Sequence, residues 1–316
     1  MVTGRRSLGK NGTRLRKWFV SLAAIAARLL PGSFKRAIYR LGPLAPLIRN
    51  QLNRSVPAGI HPVTIAGGQL AGMTMALDLS SEKDYWLGTY ELDLQDAIST
   101  LVNPAMIAYD VGANIGYISL LLARRVAPAG KVFAFEALPA NLDRLRQNVR
   151  LNNLESVVHV VPAAVVDQAG PVTFLVGPSD DMGKVEGSAG REGVKYSDRL
   201  SLEGVSLDEF VFQQGNPAAQ VVKMYIEGGE VLAMPGMLRL LQEVQPLIFL
   251  ELHGPEAARV AWDLLTQNHY RIFRMRRGFP PVDSFSTLDW KSYLVASPAG
   301  HRPTSPDHPR STQKKV

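Results

Sequence analysis

Tyr109-Asp110-Val111-Gly112-Ala113-Asn114-Ile115-Gly116-Tyr117 stands between a short apolar run and a stretch with helical periodicity, and its reading decides the fold. The run before it reads as a buried strand, Met106–Val111, and the stretch after it as a helix, Tyr117–Val126. Glycine at 112 and 116 lets the backbone turn sharply and approach a ligand without a Cβ in the way. A helix starting after Gly116 offers unpaired N–H groups at its first turn. The next strand, Lys131–Glu136, ends in an acid 24 residues beyond Gly112, where a carboxylate can hold the two hydroxyls of a ribose. Together these features describe a nucleoside-binding crevice at the edge of a parallel sheet.

The identity of the nucleoside follows from charge and from a missing glycine. The dinucleotide fingerprint is G-x-G-x-x-G, whereas here the glycines read G-x-x-x-G with Asn114 at the middle place. A pyrophosphate needs the backbone that the absent glycine would open. Asp110 adds a negative charge at the strand end, which suits an ammonium and opposes a phosphate. S-adenosylmethionine carries an ammonium, a sulfonium and a ribose but no phosphate, so it is favoured over NAD.

Outward from this loop, short buried strands alternate with helices, the pattern of a parallel sheet with crossovers. The helix Pro139–Leu151 and strands Val157–Pro162 and Val172–Val176 follow the second strand. A Gly/Ser/Asp-rich loop, about Gly177–Asp198, shows no strand pattern and reads as either mobile or substrate-facing. Strand Gly204–Ser206, a short helix from Leu207, strand Val221–Ile226, helix Val231–Leu241, strand Leu247–Leu252 and helix Glu256–Gln267 come next. Strands Tyr270–Met275 and Ser292–Ala296 close the domain. Before the core, Pro62–Leu79 reads as a β-hairpin and 81–103 as helical.

The 316 residues carry a net charge of +7 that is unevenly distributed. Residues 1–60 hold 12 Lys and Arg and no acid, residues 301–316 contribute +3, and 61–300 therefore carry −8. The expected organisation is a basic helical extension over 1–60, a catalytic domain over 61–298, and a disordered tail over 299–316. Within the extension, Leu15, Trp18, Leu22, Ile25 and Leu29 recur at helical spacing opposite Arg14, Lys17 and Arg28. A second apolar-basic stretch runs from Phe34 to Leu52. Three readings stay open for this basic arm: a helix that caps the domain or supports a dimer, peripheral contact of residues 14–52 with an anionic membrane surface, and a processed targeting segment like a signal peptide or mitochondrial presequence. The longest nearly apolar run, Trp18–Ala27, is ten residues, half of what a spanning helix needs, about 20. Cysteine is absent, which excludes a disulfide framework, thiolate zinc sites and a cysteine nucleophile, and fits a reducing, cytoplasmic setting. The acidic body argues against nucleic acid as a partner.

Several stretches are similar to the FkbM family of methyltransferases. They are D-V-G-A-N-I-G-Y at 110–117, G-K-V-F-A-F-E-A-L-P at 130–139, N-V-R-L-N-N-L at 148–154, S-L-D-E-F at 206–210 and F-L-E-L-H at 249–253, with W-L-G-T-Y-E at 86–91. The resemblance spans about 80–255 and implies a class I methyltransferase dependent on S-adenosylmethionine. Its α/β Rossmann-like sheet would have order 3-2-1-4-5-7-6 with strand 7 antiparallel. It further implies that Asp110, Gly112, Asn114 and Gly116 surround the methionine moiety and that Glu136 holds the ribose. Ala137 and Ala164 would lie along the adenosine, and Glu91 on a segment closing over the cofactor.

The chain departs from the family in one respect. V-K-M-Y-I-E-G-G-E at 222–230 carries Tyr225 where the family commonly has an acid that can ligate a metal or line the acceptor site. No metal site is therefore expected. The candidate bases are His253, Glu227 and Glu251, at the carboxyl ends of the fourth and fifth strands, with His253 foremost because neutral imidazole takes protons near pH 7. The expected activity is methyl transfer to a hydroxyl of a sugar, glycan or polyketide-like acceptor. Two alternatives stand beside it: a cofactor-binding pseudoenzyme impaired by Tyr225 and tethered to a membrane by its basic arm, and a nucleic-acid methyltransferase.

Overall fold

The computed structural model describes residues 59–177, 183–190, 193–300 and 303. The basic stretches over 14–52 lie outside the described residues, as does most of the tail beyond 298. Contacts divide the chain into two compact units, one ending at Leu92 and one beginning at Asp93, whereas the sequence reading assigned 61–298 to a single domain.

The first unit contains strands β1 (Ile60–Thr64) and β2 (Thr74–Asp78), paired antiparallel as the hairpin reading expected, and helix α1 (Lys83–Leu87). It has its own apolar centre of Ile65, Leu70, Met75, Leu77 and Trp86. The segment read as helical over 81–103 is interrupted: Gly88 ends α1 with φ 70, and α2 (Leu92–Leu101) starts afresh.

The second unit is a seven-stranded sheet. In chain order its members are β3 (Ile107–Val111), β4 (Lys131–Phe135), β5 (Val158–Val161), β10 (Val221–Met224), β11 (Leu247–His253), β12 (Tyr270–Arg274) and β13 (Lys291–Pro298). Their order across the sheet is β12-β13-β11-β10-β3-β4-β5, with β13 antiparallel to both its neighbours. Counted as strands 1 to 7 of the sheet, this is 3-2-1-4-5-7-6. Strands β3 and β10 are almost wholly buried, as parallel strands covered on both faces must be.

Helix α3 (Tyr117–Val126) buries eight of its ten residues and carries Arg124 and Arg125 in its last turn, where the dipole favours cations. Arg125 donates to the carbonyls of Ser99 and Val102 and so closes the end of α2. Helix α4 (Pro139–Leu151) starts on a proline that needs no N–H there and buries Leu142, Leu145 and Val149 along one face. Further on, the segment read as one helix over 231–241 is a short α5 (Glu230–Ala233), a 3-10 turn at Met234–Met237 and a wide π turn at Leu240–Val244. Pro235 removes one helical N–H and explains the break. Helix α6 (Gly254–Gln267) then packs on β11 and β12.

A second sheet escaped the sequence reading. Strands β6 (Ala164–Val165), β7 (Gly170–Val176), β8 (Lys184–Val185) and β9 (Asp198–Val205) form it in the order β6-β9-β7-β8. The loop expected to lack strands thus contributes β8, and the strand expected over 204–206 begins six residues earlier.

One buried interaction fixes the edge where β3 and β10 end. The Lys223 ammonium lies 2.9 Å from Asp110 and donates to the carbonyls of Val111 and Gly112 at 3.1 and 2.8 Å. Ser119, on α3, donates to the other Asp110 oxygen at 2.6 Å. Removing one partner of such a pair leaves the other buried and uncompensated. Lys223→Met should therefore lower stability by about 3–5 kcal/mol, and pairing it with Asp110→Leu should recover much of that loss, as read by urea unfolding.

Candidate functional site

A crevice opens at the carboxyl edge of the seven-stranded sheet, lined by Gly112, Asn114, Glu136, Ala137, Ala164 and Tyr225–Glu227 among others. Gly112 has φ +75, and a Cβ there would stand 2.1 Å from the Tyr225 carbonyl, so this turn accepts only glycine. Its N–H and that of Ala113 donate to the Phe135 carbonyl, tying the turn to the end of β4. Asn148 on α4 donates to the carbonyl of Ile115, so the loop is held from a second side.

Glu136 is 8% exposed and lines the crevice beside the glycine loop. Its carboxylate accepts from the backbone N–H groups of Asn114 at 2.8 Å and Leu138 at 2.9 Å. Burial raises its pKa; these two hydrogen bonds, one with Asn141 and the charge of Lys223 oppose that shift without cancelling it. A carboxylate has about four acceptor sites, and with three of them taken here, capacity remains for one ribose hydroxyl.

Two residues expected around the cofactor do not line the crevice. Asp110 is fully buried, and its charge is matched by Lys223 rather than presented to a ligand. The argument that its charge selects an ammonium is corrected accordingly. Gly116 is a packing position: a Cβ there would meet Leu145 Cδ1 at 2.5 Å, so its role is the close approach of α3 and α4. Glu91 belongs to the first unit and adopts φ 48.

Lys184 is the lysine of the crevice wall, and its ammonium is committed to the carbonyls of Ser188 and Ala189. Lys223 is committed to Asp110. The crevice wall thus carries two acids, Glu136 and Glu227, and one lysine held by backbone carbonyls. Phe174, Lys184 and Val185 reach the wall from the second sheet, a contribution that no sequence periodicity announced.

Beside the crevice, the ends of β10 and β11 bring Glu227, Glu251 and His253 together. His253 Nε2 lies 3.7 Å from Glu227 Oε1 and 3.9 Å from Glu251 Oε2. One potential ligand atom from each of the three lies within 4.8 Å of the others, close enough to converge on a divalent cation, a grouping the expectation of no metal site had not foreseen. Strand β13 supplies a competing charge: antiparallel pairing sets Lys291 opposite His253, and the Lys291 ammonium lies 2.5 Å from Glu251. Burial pulls the Lys291 pKa down, but hydrogen bonds and charge interactions with Glu251 and Tyr293 together outweigh it and the net shift is upward.

Glu230, read from sequence as a helix-start acid, is fully buried and accepts from the Ile226 N–H at 3.2 Å. Burial, reinforced by Glu251 and Glu227, pushes its pKa up to about 8, so at neutral pH it is mostly a neutral acid. Tyr225 lines the crevice with its ring 5.0 Å from the Lys223 ammonium and its hydroxyl 3.5 Å from the Met275 sulfur.

The family model for the methyltransferase FkbM domain matches residues 110–279. Hexuronic acid methyltransferase AglP of Haloferax volcanii is 26% identical over 189 residues, covering 59% of this chain and 73% of that protein. Methyltransferase sdnD of Sordaria araneosa is 26% identical over 212 residues, covering 59% and 80% respectively. The crystal structure of an FkbM methyltransferase from Methylobacillus flagellatus superimposes with a TM-score of 0.42 at 17% identity, covering 69% of this chain and 53% of that one.

Two outcomes follow from these charges. Holding a ribose hydroxyl needs Glu136 ionised, so with its pKa raised the affinity for S-adenosylhomocysteine should begin to fall with acidification above the usual carboxylate range. Glu136→Gln should weaken that affinity by about 10- to 100-fold and flatten the pH profile, measured by calorimetry across pH. Removing the competing ammonium with Lys291→Met should tighten Mn²⁺ binding at Glu227, Glu251 and His253 by roughly tenfold or more, read by titration of both proteins.

Proposed function

The chain belongs to the FkbM family of S-adenosylmethionine-dependent methyltransferases, and from that premise we propose that it methylates a hydroxyl oxygen of a sugar, glycan or polyketide-like acceptor. The observation that carries this reading is the double position of Glu227, which lines the crevice and stands 3.7 Å from His253. An acceptor bound against His253 is thereby next to the cofactor crevice.

S-adenosylmethionine, when bound, supplies an electrophilic methyl group on a sulfonium. Glu136 would hold its ribose, with Ala137 and Ala164 along the nucleoside and the backbone of Gly112 and Asn114 beside it. His253 takes the acceptor proton on a ring nitrogen as attack develops. Glu227 and Glu251 stabilise the imidazolium that results. Lys291 and the protonated Glu230 keep the cluster from accumulating charge that would oppose the negative charge developing on the acceptor oxygen. The transfer is an in-line displacement, so the main demand on the protein is placement of the acceptor oxygen.

Tyr225 motivates the second reading, a binding protein without turnover. Against it, the carboxylates of Glu227 and Glu251 stand near the place where the family's usual acid is missing. The hexuronic acid methyltransferase among the relatives makes saccharides the first acceptors to try. The cationic stretch over 14–52 suits a lipid-linked or membrane-proximal acceptor.

With a turned-over acceptor in hand, His253→Ala should lower kcat by about 100-fold or more while leaving S-adenosylhomocysteine affinity unchanged. Tyr225→Asp should not raise kcat. A chain that binds the cofactor product, turns over no acceptor and gains activity on Tyr225→Asp would overturn the enzyme reading.

A further inference from the structure

Trp290 is 46% exposed, the only exposed Phe, Tyr or Trp among the described residues. It stands at the start of β13, and its ring meets the buried His253 imidazole edge to face at 5.7 Å. A lone exposed apolar side chain needs no explanation in itself. This one differs because the turn that carries it is rigidly held. The Gly254 N–H donates to the Trp290 carbonyl at 2.7 Å. On either side, Ser292 Oγ accepts from the Asp289 N–H at 3.0 Å and donates to the Asp289 carbonyl at 3.1 Å, with Arg274 braced against Asp289 at 3.3 Å. Ser292 itself is 1% exposed. A large apolar face is thus fixed in place over the buried His253 ring while part of it remains in water, an arrangement that lowers the ordering cost of binding a ligand.

We infer that Trp290 is the stacking platform for a pyranose ring of the acceptor, with Glu227 and Glu251 accepting hydrogen bonds from its hydroxyls. The inference rests on the methyltransferase reading above and narrows its acceptor to a saccharide. A pyranose has one face of C–H groups, which packs on an aromatic ring, and a rim of hydroxyls, which needs acceptors. One aromatic face beside paired carboxylates matches that division. A flat polyketide or phenol would be better served by apolar surfaces on both sides and would present few hydroxyls to the two carboxylates. The base also fits: a sugar hydroxyl is far less acidic than a phenol and needs a positioned proton acceptor, which His253 provides.

The test uses the full chain saturated with S-adenosylhomocysteine, applied to immobilised neutral and uronic-acid oligosaccharides and, separately, to immobilised flat phenols. Wild type and Trp290→Tyr should be retained on at least one saccharide class. Trp290→Leu should lose about tenfold or more of that affinity, with its S-adenosylhomocysteine affinity and melting temperature unchanged. Equal saccharide retention by Trp290→Leu, retention on phenols alone, or no saccharide retention by wild type would each overturn the inference while leaving the cofactor crevice intact. Failure of wild type to bind S-adenosylhomocysteine would instead overturn the underlying reading, and the inference with it.

Discussion

A lysine ammonium closing the ends of two adjacent parallel strands holds the rest of the site in place. At the edge where the strands stop, Lys223 donates to the carbonyls of Val111, which also accepts from the Tyr225 N–H, and of Gly112, while pairing with Asp110. Apolar residues of similar volume could often match such a buried pair in stability. They could not donate to the two carbonyls, nor fix the angle at which the chain leaves β3. The turn at Gly112 inherits its geometry from that ammonium, and the Tyr225 carbonyl packs where a Cβ would otherwise stand.

The same pairing divides the labour among the acids. With Asp110 neutralised inside the protein, Glu136 and Glu227 are the acids on the crevice wall, Glu136 beside the glycine loop. Its two backbone hydrogen bonds join the glycine loop to the entry of α4, so one carboxylate both organises the crevice and faces its contents. At the neighbouring edge the reverse holds: Glu227, Glu251 and Glu230 crowd together, and the fold manages the repulsion with Lys291 on one and a retained proton on another.

What could be read from the sequence was what local chemistry determines. Helices α3 and α4 have the expected limits because Gly116, Pro139 and the polar turn at Asn152-Asn153 punctuate them. The strands of the large sheet fall within two residues of expectation because each is a short buried run. The second sheet was not legible: β6 and β8 are two residues each, and their pairing exists only through tertiary contact. Spacing placed Glu136 correctly beside the loop, yet could not tell that Asp110 turns inward, since that depends on Lys223 more than a hundred residues away. Trp290 and Lys291 were invisible for a related reason. They join His253 through the register of an antiparallel strand, not through any motif.

Glu227 shows how the two halves of the site are coupled. Its backbone is left-handed, with φ 52, a conformation that costs a non-glycine residue about 1–3 kcal/mol and persists only where surroundings impose it. The imposing contacts are on the next residue: Gly228 accepts from the Ala189 N–H and leaves no room for a Cβ against the Ala189 carbonyl. The loop of the second sheet therefore presses on the turn that aims Glu227 between crevice and imidazole. A relaxed backbone would let that carboxylate turn elsewhere, so the strain marks the point where the fold ties the crevice wall to the His253 cluster.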